Sequence, residues 1–360
     1  MGTGLYLLTF IADVWHRIWQ AKAQQVGGRT EFMPGLLDSI SLGKLRLGNR
    51  IVMPPMATNR ATSNGEVTES QIRHYAERSK GVGIIIVEHS YVTLSGKLSP
   101  NQLGIYDDKL ILGLSRLVKA VHSFRIPVAA QINHAGGKTM SSVIGEQPVG
   151  PSSVRVFQET PRELDLGEID EVVEAFGRAA RRAVEAGFDA VEVHGAHGFL
   201  LNQFLSPLTN KRADEYGGDL EKRACFPIRV FKRVRKEVGG DFPLLYRLGA
   251  DDFREGGLSL EDTKIFAGML VSAGVDAIDV SGGIGGSNPQ GLSGQGYLFY
   301  LAEAIKKVVN VPVVGVGGIT EAEFADEAVR EGKVDLVAVG RALLADAEWA
   351  VKAAKTLKRA

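Results

Sequence analysis

Residues 188–218 read FDAVEVHGAHGFLLNQFLSPLTNKRADEYGG. Phe188, Ala190, Val191 and Val193 make a short run that is apolar on both parities. Such a run predicts a strand buried on both faces, as in a parallel sheet covered by helices. It breaks at His194 and Gly195, and a second imidazole follows at His197. The same unit, a short apolar run, a loop and a longer helical pattern, recurs along the chain. The runs are Arg50–Met53, Val82–Val87, Pro127–Ile132, Phe188–Val193, Phe242–Leu248, Val275–Val280, Val311–Val316 and Val334–Val339. Segments such as Ile169–Ala186 and Glu321–Glu331 carry helical periodicity between them. Eight β-α units in succession predict an α/β fold, a closed (β/α)8 TIM barrel, rather than an open doubly wound sheet. No GxGxxG turn follows the first strand, which argues against a dinucleotide-binding domain. Ile40–Leu47 alternates around Gly43 and Lys44 and suits a small hairpin.

Of the 360 residues, 42 are Lys or Arg and 42 are Asp or Glu. This balance gives no global field to attract nucleic acid or an anionic membrane. The single cysteine, Cys225, excludes an intrachain disulfide framework, a four-Cys zinc site and a self-held iron–sulfur cluster. One thiol points to a reducing compartment, and the expectation is a cytoplasmic protein. Residues 1–35 differ in character from the rest. Leu8, Ile11, Trp15, Ile18 and Trp19 recur at helical steps, and a polar linker follows. The stretch is too short and too charged to span a bilayer, and it lacks the charged start and small-residue cleavage site of a signal peptide. The expected organisation is an N-terminal extension, helix plus linker, over 1–35 and one barrel domain over 36–360. The extension reads either as an appendage or as a helix lying on a membrane surface.

Barrel chemistry sits at the carboxyl ends of the strands. The residues found there are Pro54, Pro55, Met56 and Ala57; Glu88 and His89; Gln131, Asn133 and His134; His194 and His197; Arg247; Ser281, Gly282 and Gly283; Gly317 and Gly318; and Gly340 and Arg341. The long excursion 134–170 and the Gly-rich stretch 281–296 belong to the same face. His194 and His197, three apart, can turn both rings into one cavity. Two neutral imidazoles there donate two hydrogen bonds to a developing oxyanion. The spacing also suits a metal, although no Cys and no evident third ligand follow, or two structural histidines. Gly317, Gly318, Gly340 and Arg341 follow strands seven and eight, where barrels commonly bind phosphate. Gln131 can both donate to and accept from a ring amide, and Arg247 can hold negative charge. Together these suit a planar phosphorylated cofactor such as FMN.

The motifs NRIVMPPM at 49–56, QINHAGGK at 131–138, HGAHGFLLNQFLSPLTNKRADEYGG at 194–218 and VGRALLAD at 339–346 resemble those of the old yellow enzyme family of FMN-dependent ene-reductases. The resemblance implies tightly bound FMN, NAD(P)H as hydride donor, and hydride transfer to the β-carbon of an activated alkene. It implies that Pro54, Pro55, Met56 and Ala57 line the flavin and that His89 offers a backbone contact. Gln131 would meet the pyrimidine edge and Arg247 the N1–O2 region. Gly317, Gly318, Gly340 and Arg341 would hold the phosphate. His194 and His197 would bind and polarise the substrate carbonyl, with Phe199 beside them.

Three positions depart from the family pattern. Phe199 stands where relatives usually carry the Tyr that donates a proton to the α-carbon, and Phe has no proton to give. Ala57 replaces a common Cys or Thr, and Gly137 replaces the Arg of HAGR. The proton would then come from water or another group, with Tyr91, Tyr297 and Tyr300 as possible substitutes. The acceptor could also be quinone-like and need no carbon proton. Competing readings are an enoyl or dienoyl thioester reductase, a flavin dehydrogenase working in reverse, a non-catalytic flavin carrier, and a sugar-phosphate lyase or isomerase with Glu88 as its carboxylate. Partners are expected to be small molecules, not nucleic acid. A homo-oligomer is possible, and no metal site is expected.

Overall fold

Eight parallel strands pair with their neighbours in chain order and close on themselves in the computed structural model, which describes residues 33–358. The strands are β1 (Ile51–Met53), β2 (Ile84–Tyr91), β3 (Val128–Asn133), β4 (Ala190–Gly195), β5 (Leu244–Gly249), β6 (Ala277–Ser281), β7 (Val313–Val316) and β8 (Leu336–Ala338). Each is followed by a covering helix: α1 (Glu69–Arg78), α2 (Ile111–His122), α3 (Leu166–Ala186), α4 (Leu220–Val238), α5 (Leu260–Ser272), α6 (Phe299–Lys306), α7 (Ala322–Arg330) and α8 (Trp349–Leu357). This is the (β/α)8 barrel that the eight apolar runs predict. The helix expected across Leu8–Trp19, and with it the membrane-surface reading, lies outside the described residues.

The helix ends are written in local chemistry. Asp165 caps α3 by accepting from the Glu168 N–H, while the Glu168 carboxylate accepts from the Asp165 N–H. Ser259 and Asp262 repeat this reciprocal cap on α5. Each cap satisfies donors that the first helical turn leaves open, for about 1 kcal/mol.

The interior is layered because strand side chains alternate with a period of two. Ile40–Leu42 and Leu45–Leu47 form the expected antiparallel hairpin. Its Leu42 and Leu47 pack with Val52, Ile84, Ala129, Ala190, Leu245 and Ala277. This apolar layer plugs the amino-terminal end. Two residues further along β3 to β6, the same inward direction brings Gln131, Glu192, Arg247 and Asp279, all buried. A further step of two brings His194 on β4 and Ser281 on β6. The barrel therefore changes from aliphatic to ionic to imidazole over three layers.

Two strands outlast the apolar runs that mark them. β2 continues to Tyr91 and β4 to Gly195, so Glu88, His89 and His194 lie within strands rather than after them. In β2 the pairing slips between Val87 and Ser90, with one residue more than β3 has opposite it. Such a bulge re-aims side chains. Here Glu88 turns outward to α1 and His89 turns to the barrel mouth.

Candidate active site

His194 and His197 meet edge to face, with ring centres 5.1 Å apart. Phe199 packs on His194 at 4.6 Å and on His89 at 5.2 Å. The turn that brings them together places His197 at φ +56°. Backbone in that region is uncommon for a residue with a Cβ and marks a position held by its surroundings. The His197 N–H donates to the Gly282 carbonyl at 3.0 Å, which ties the β4 turn to the loop after β6. Phe157, from the long excursion, and Ile284, from the Gly-rich stretch, both approach Gly198. The two loops expected on this face thus converge over the histidine turn.

All three imidazoles at this mouth are neutral at pH 7. Burial, followed by His197 and His89, holds His194 well below the ordinary histidine value. Burial, then Arg247 and Lys138, does the same for His197. Burial and Lys138 bring His89 down to about 4. Local hydrogen bonds then fix the tautomers. His194 Nδ1 accepts from the Ala196 N–H at 3.3 Å, so its proton sits on Nε2. Gln102 Oε1 accepts from the Leu98 N–H, so its amide nitrogen faces His89 Nδ1 at 2.7 Å and donates. His89 therefore also carries its proton on Nε2. His197 Nε2 lies 2.7 Å from the buried Ser281 hydroxyl. That hydroxyl has no other acceptor among the described residues, so it donates, leaving the His197 proton on Nδ1. His194 and His197 are two uncharged N–H donors on one turn.

Below them, Gln131 Nε2 donates to Glu192 Oε1 at 2.8 Å, and Arg247 Nη1 stands 3.2 Å from Asp279 Oδ2. One guanidinium faces two buried carboxyls. Burial, then the Asp279 charge, raises Glu192, and burial raises Asp279 against the pull of Arg247, so the two carboxyls share the titration of one cluster. Glu192 and Asp279 escaped the sequence reading. The available signal was an acidic residue at the centre of an apolar run, in VEV and in IDV.

The expected flavin residues fall into two neighbouring groups. Gln131 Oε1 and Arg247 Nε are buried without hydrogen-bond partners, an acceptor and a donor on the floor. That pair matches the donor and acceptor edge of a flavin pyrimidine ring. At the rim, Gly340 abuts Met56 and Pro54. Pro54 is buried, Pro55 and Met56 are half-buried and Ala57 is exposed. Gly317 adopts φ +146°, and a Cβ there would sit 2.9 Å from the Tyr297 nitrogen. Gly318 adopts φ +62°, with the Arg341 guanidinium 3.4 Å from its Cβ position. Residues 317, 318 and 341 therefore assemble a glycine cradle with an exposed cation, suited to a phosphate. The residues present fit FMN.

Other candidates are placed elsewhere. Glu88 is 1% exposed and accepts from Thr58, Gln71 and Tyr75. It braces α1 against β2, so the lyase reading loses its carboxylate. Tyr91 stacks on Tyr106 at 5.1 Å, Tyr297 donates to the Ser287 carbonyl, and Tyr300 is half exposed. None of the three is a ring or hydrogen-bond partner of His194 or His197 among the described residues. The His89 carbonyl accepts from Gln102 at 3.1 Å, and its ring faces Phe199. His134 turns its ring to Ser95 and Gly96. Gln203, inside the quoted motif but not singled out, joins the two site loops. Its amide oxygen accepts from the Gly137 N–H, and its amide nitrogen donates to the Ala135 and Gly198 carbonyls.

Among the described residues no helix is long and apolar enough to cross a membrane. The profile of the NADH:flavin oxidoreductase / NADH oxidase family matches residues 35–360. The chain is 47% identical over 329 residues to an NADH oxidase of Thermoanaerobacter brockii, covering 89% of this chain and 50% of that protein. It is 40% identical over 325 residues to an NADPH dehydrogenase of Clostridium acetobutylicum, covering 89% and 94%. It thus spans about half of one relative and nearly all of the other. Among solved structures, a 2-naphthoyl-CoA reductase in complex with 2-naphthoyl-CoA aligns at TM-score 0.86 and 30% identity, over 89% of this chain and 52% of that one. An old yellow enzyme homologue from Zymomonas mobilis aligns at 0.80 and 28%, over 91% and 93%. With the barrel, the paired imidazoles and the glycine cradle in place, these matches establish that the chain belongs to the NADH:flavin oxidoreductase / NADH oxidase family, the old yellow enzyme family of FMN-binding, NAD(P)H-using oxidoreductases.

Proposed function

We propose that this protein reduces an electron-poor C=C bond conjugated to a carbonyl, with NAD(P)H as the source of hydride. The observation that carries the reading is the pair of neutral N–H donors, His194 Nε2 and His197 Nδ1, on one turn above the Gln131–Arg247 floor. FMN, when bound, supplies hydride at a ring nitrogen. Everything else is work for side chains of this chain. Gln131 and Arg247 orient the ring edge, and Gly317, Gly318, Gly340 and Arg341 hold its phosphate. His194 and His197 donate to the acceptor's carbonyl oxygen. As hydride reaches the β-carbon, negative charge moves to that oxygen, where two aligned donors in a buried site stabilise it. Losing one such donor commonly costs about 10²–10³ in rate. Because the imidazoles are uncharged, the ground-state carbonyl gains less from them than the developing oxyanion does.

A second reading shares this site. The alignment with 2-naphthoyl-CoA reductase supports an unsaturated thioester as the acceptor, since a thioester presents the same carbonyl to the histidines. The test is an anaerobic one. NAD(P)H-reduced protein is mixed with 2-cyclohexenone, a maleimide, 1,4-benzoquinone or an enoyl thioester, and return of flavin absorbance is timed. Fast reoxidation by a carbonyl-conjugated alkene supports the proposal; reoxidation by the quinone alone refutes it.

A further inference from the structure

Phe199 lies against the His194 and His89 rings and has no acidic proton, yet a side chain that has one stands directly over it. Lys138 Nζ is 4.6 Å from the centre of the Phe199 ring and donates to the His197 carbonyl at 2.6 Å. We propose that Lys138 is the acid that protonates the α-carbon of the acceptor once hydride has reached the β-carbon. The proposal rests on the enone-reduction reading above and deepens it.

The lysine is positioned rather than free. It follows β3 in the loop that Gln203 ties to the histidine turn through Gly137 and Gly198. One ammonium hydrogen goes to the His197 carbonyl, and the other two remain available. Among the described residues it forms no ion pair with a carboxylate, unlike the surface lysines 306, 307 and 352. The titratable groups facing it are His89 from β2 and His194 and His197 from the β4 end. The three imidazoles are neutral, and Arg247 is engaged with Asp279. His134, on its own loop, turns to Ser95. Burial brings the Lys138 ammonium down to about 8, near the range in which a general acid is most effective at neutral pH.

The step balances. Hydride adds two electrons and one hydrogen at the β-carbon, and the π pair moves onto the α-carbon and carbonyl as an enolate. A Lys138 N–H bond then breaks with its electrons left on nitrogen, and the α-carbon–hydrogen bond forms. The neutral amine recovers its proton from solvent. A quinone takes its protons on oxygen and does not need this acid.

The test uses full-length, FMN-loaded protein, reduced anaerobically and mixed with 2-cyclohexenone or 1,4-benzoquinone. Lys138→Met removes the acid, and Lys138→Arg keeps the charge without a readily released proton. Both are expected to slow enone reduction by about 10²–10⁴, the usual worth of general acid help, and to slow benzoquinone reduction far less. The wild-type enone rate should fall above about pH 8, and this dependence should vanish in both variants. Adding Phe199→Tyr to Lys138→Met should restore enone reduction. A Lys138→Met enzyme with wild-type enone rate and pH profile overturns the proposal. So does a Lys138→Arg enzyme as fast as wild type, or equal loss with both acceptors. If the wild type reduces benzoquinone and no enone, the underlying reading falls and takes this one with it.

Discussion

The Ser281 hydroxyl lies 2.7 Å from His197 Nε2, reaching from the end of β6 to the turn after β4. This contact assigns the His197 proton to Nδ1 and makes that edge the donor. Ser281→Ala removes the assignment and lets the imidazole sample both tautomers. The KM for an enone is expected to rise about tenfold, the worth of roughly one buried hydrogen bond, with hydride uptake from NAD(P)H unchanged. Separate steady-state measurement of the two half-reactions checks this; equal KM values would remove Ser281 from the site.

His194→Ala and His197→Ala should each lower kcat/KM for an enone by about 10²–10³, because each deletes one donor to the developing oxyanion. The double variant should lose less than the product of the two, since the donors share one oxygen. Flavin content should remain at wild-type level. Absorbance spectra together with anaerobic reoxidation rates give both answers.

Arg341→Ala should weaken FMN binding by about 10- to 100-fold while leaving the fold intact, because the guanidinium is exposed and charge-assisted contacts to phosphate are worth roughly 1.5–3 kcal/mol. Gly317→Ala is harsher. Its Cβ would press on the Tyr297 backbone nitrogen at 2.9 Å, so flavin should be lost and the melting temperature lowered. Flavin fluorescence recovery on dilution separates the two variants.

Stability should fall on both sides of neutrality. The folded pKa of His74 and of His89 is lowered to about 4, and that of His134 to about 3. As pH drops below the ordinary histidine value, the unfolded chain takes up protons that the folded chain refuses. Unfolding is then favoured by about 1.4 kcal/mol per pH unit for each group. Glu192 acts in the opposite direction, with a folded pKa raised to about 8. Between the ordinary Glu value and about 8 the folded chain keeps a proton that the unfolded chain releases, so stability declines as pH rises. Glu192→Gln should flatten this decline, which is complete near pH 8. Urea unfolding of the flavin-free protein from pH 5 to 9 measures both slopes, and an unchanged slope between about pH 7 and 8 in the variant would contradict the assignment.

The barrel was legible because its determinants are local. Each strand needs an apolar run, each helix a period and a cap, and both are contiguous in sequence. Asp165 with Glu168 and Ser259 with Asp262 announce helix starts three residues apart. The placement of Gln131, His194, His197 and Arg247 at one end followed from the rule that strand ends form the mouth. The hairpin was also legible, though not its position as the plug beneath Ala129 and Ala190.

Other features required the closed sheet. The bulge in β2 turns neighbouring Glu88 and His89 in opposite directions, and no local pattern records it. The ionic layer exists because period-two alternation on four separate strands brings Gln131, Glu192, Arg247 and Asp279 to one level, across 149 positions of sequence from first to last. Lys138 reads as an ordinary charged loop residue until Gln203 draws its loop to the histidine turn and sets it over Phe199. Secondary structure and the identity of the mouth residues depend on short-range sterics and burial, which the chain carries in sequence. Protonation states and pairings depend on which distant groups share a desolvated space, and only closure of the barrel decides that.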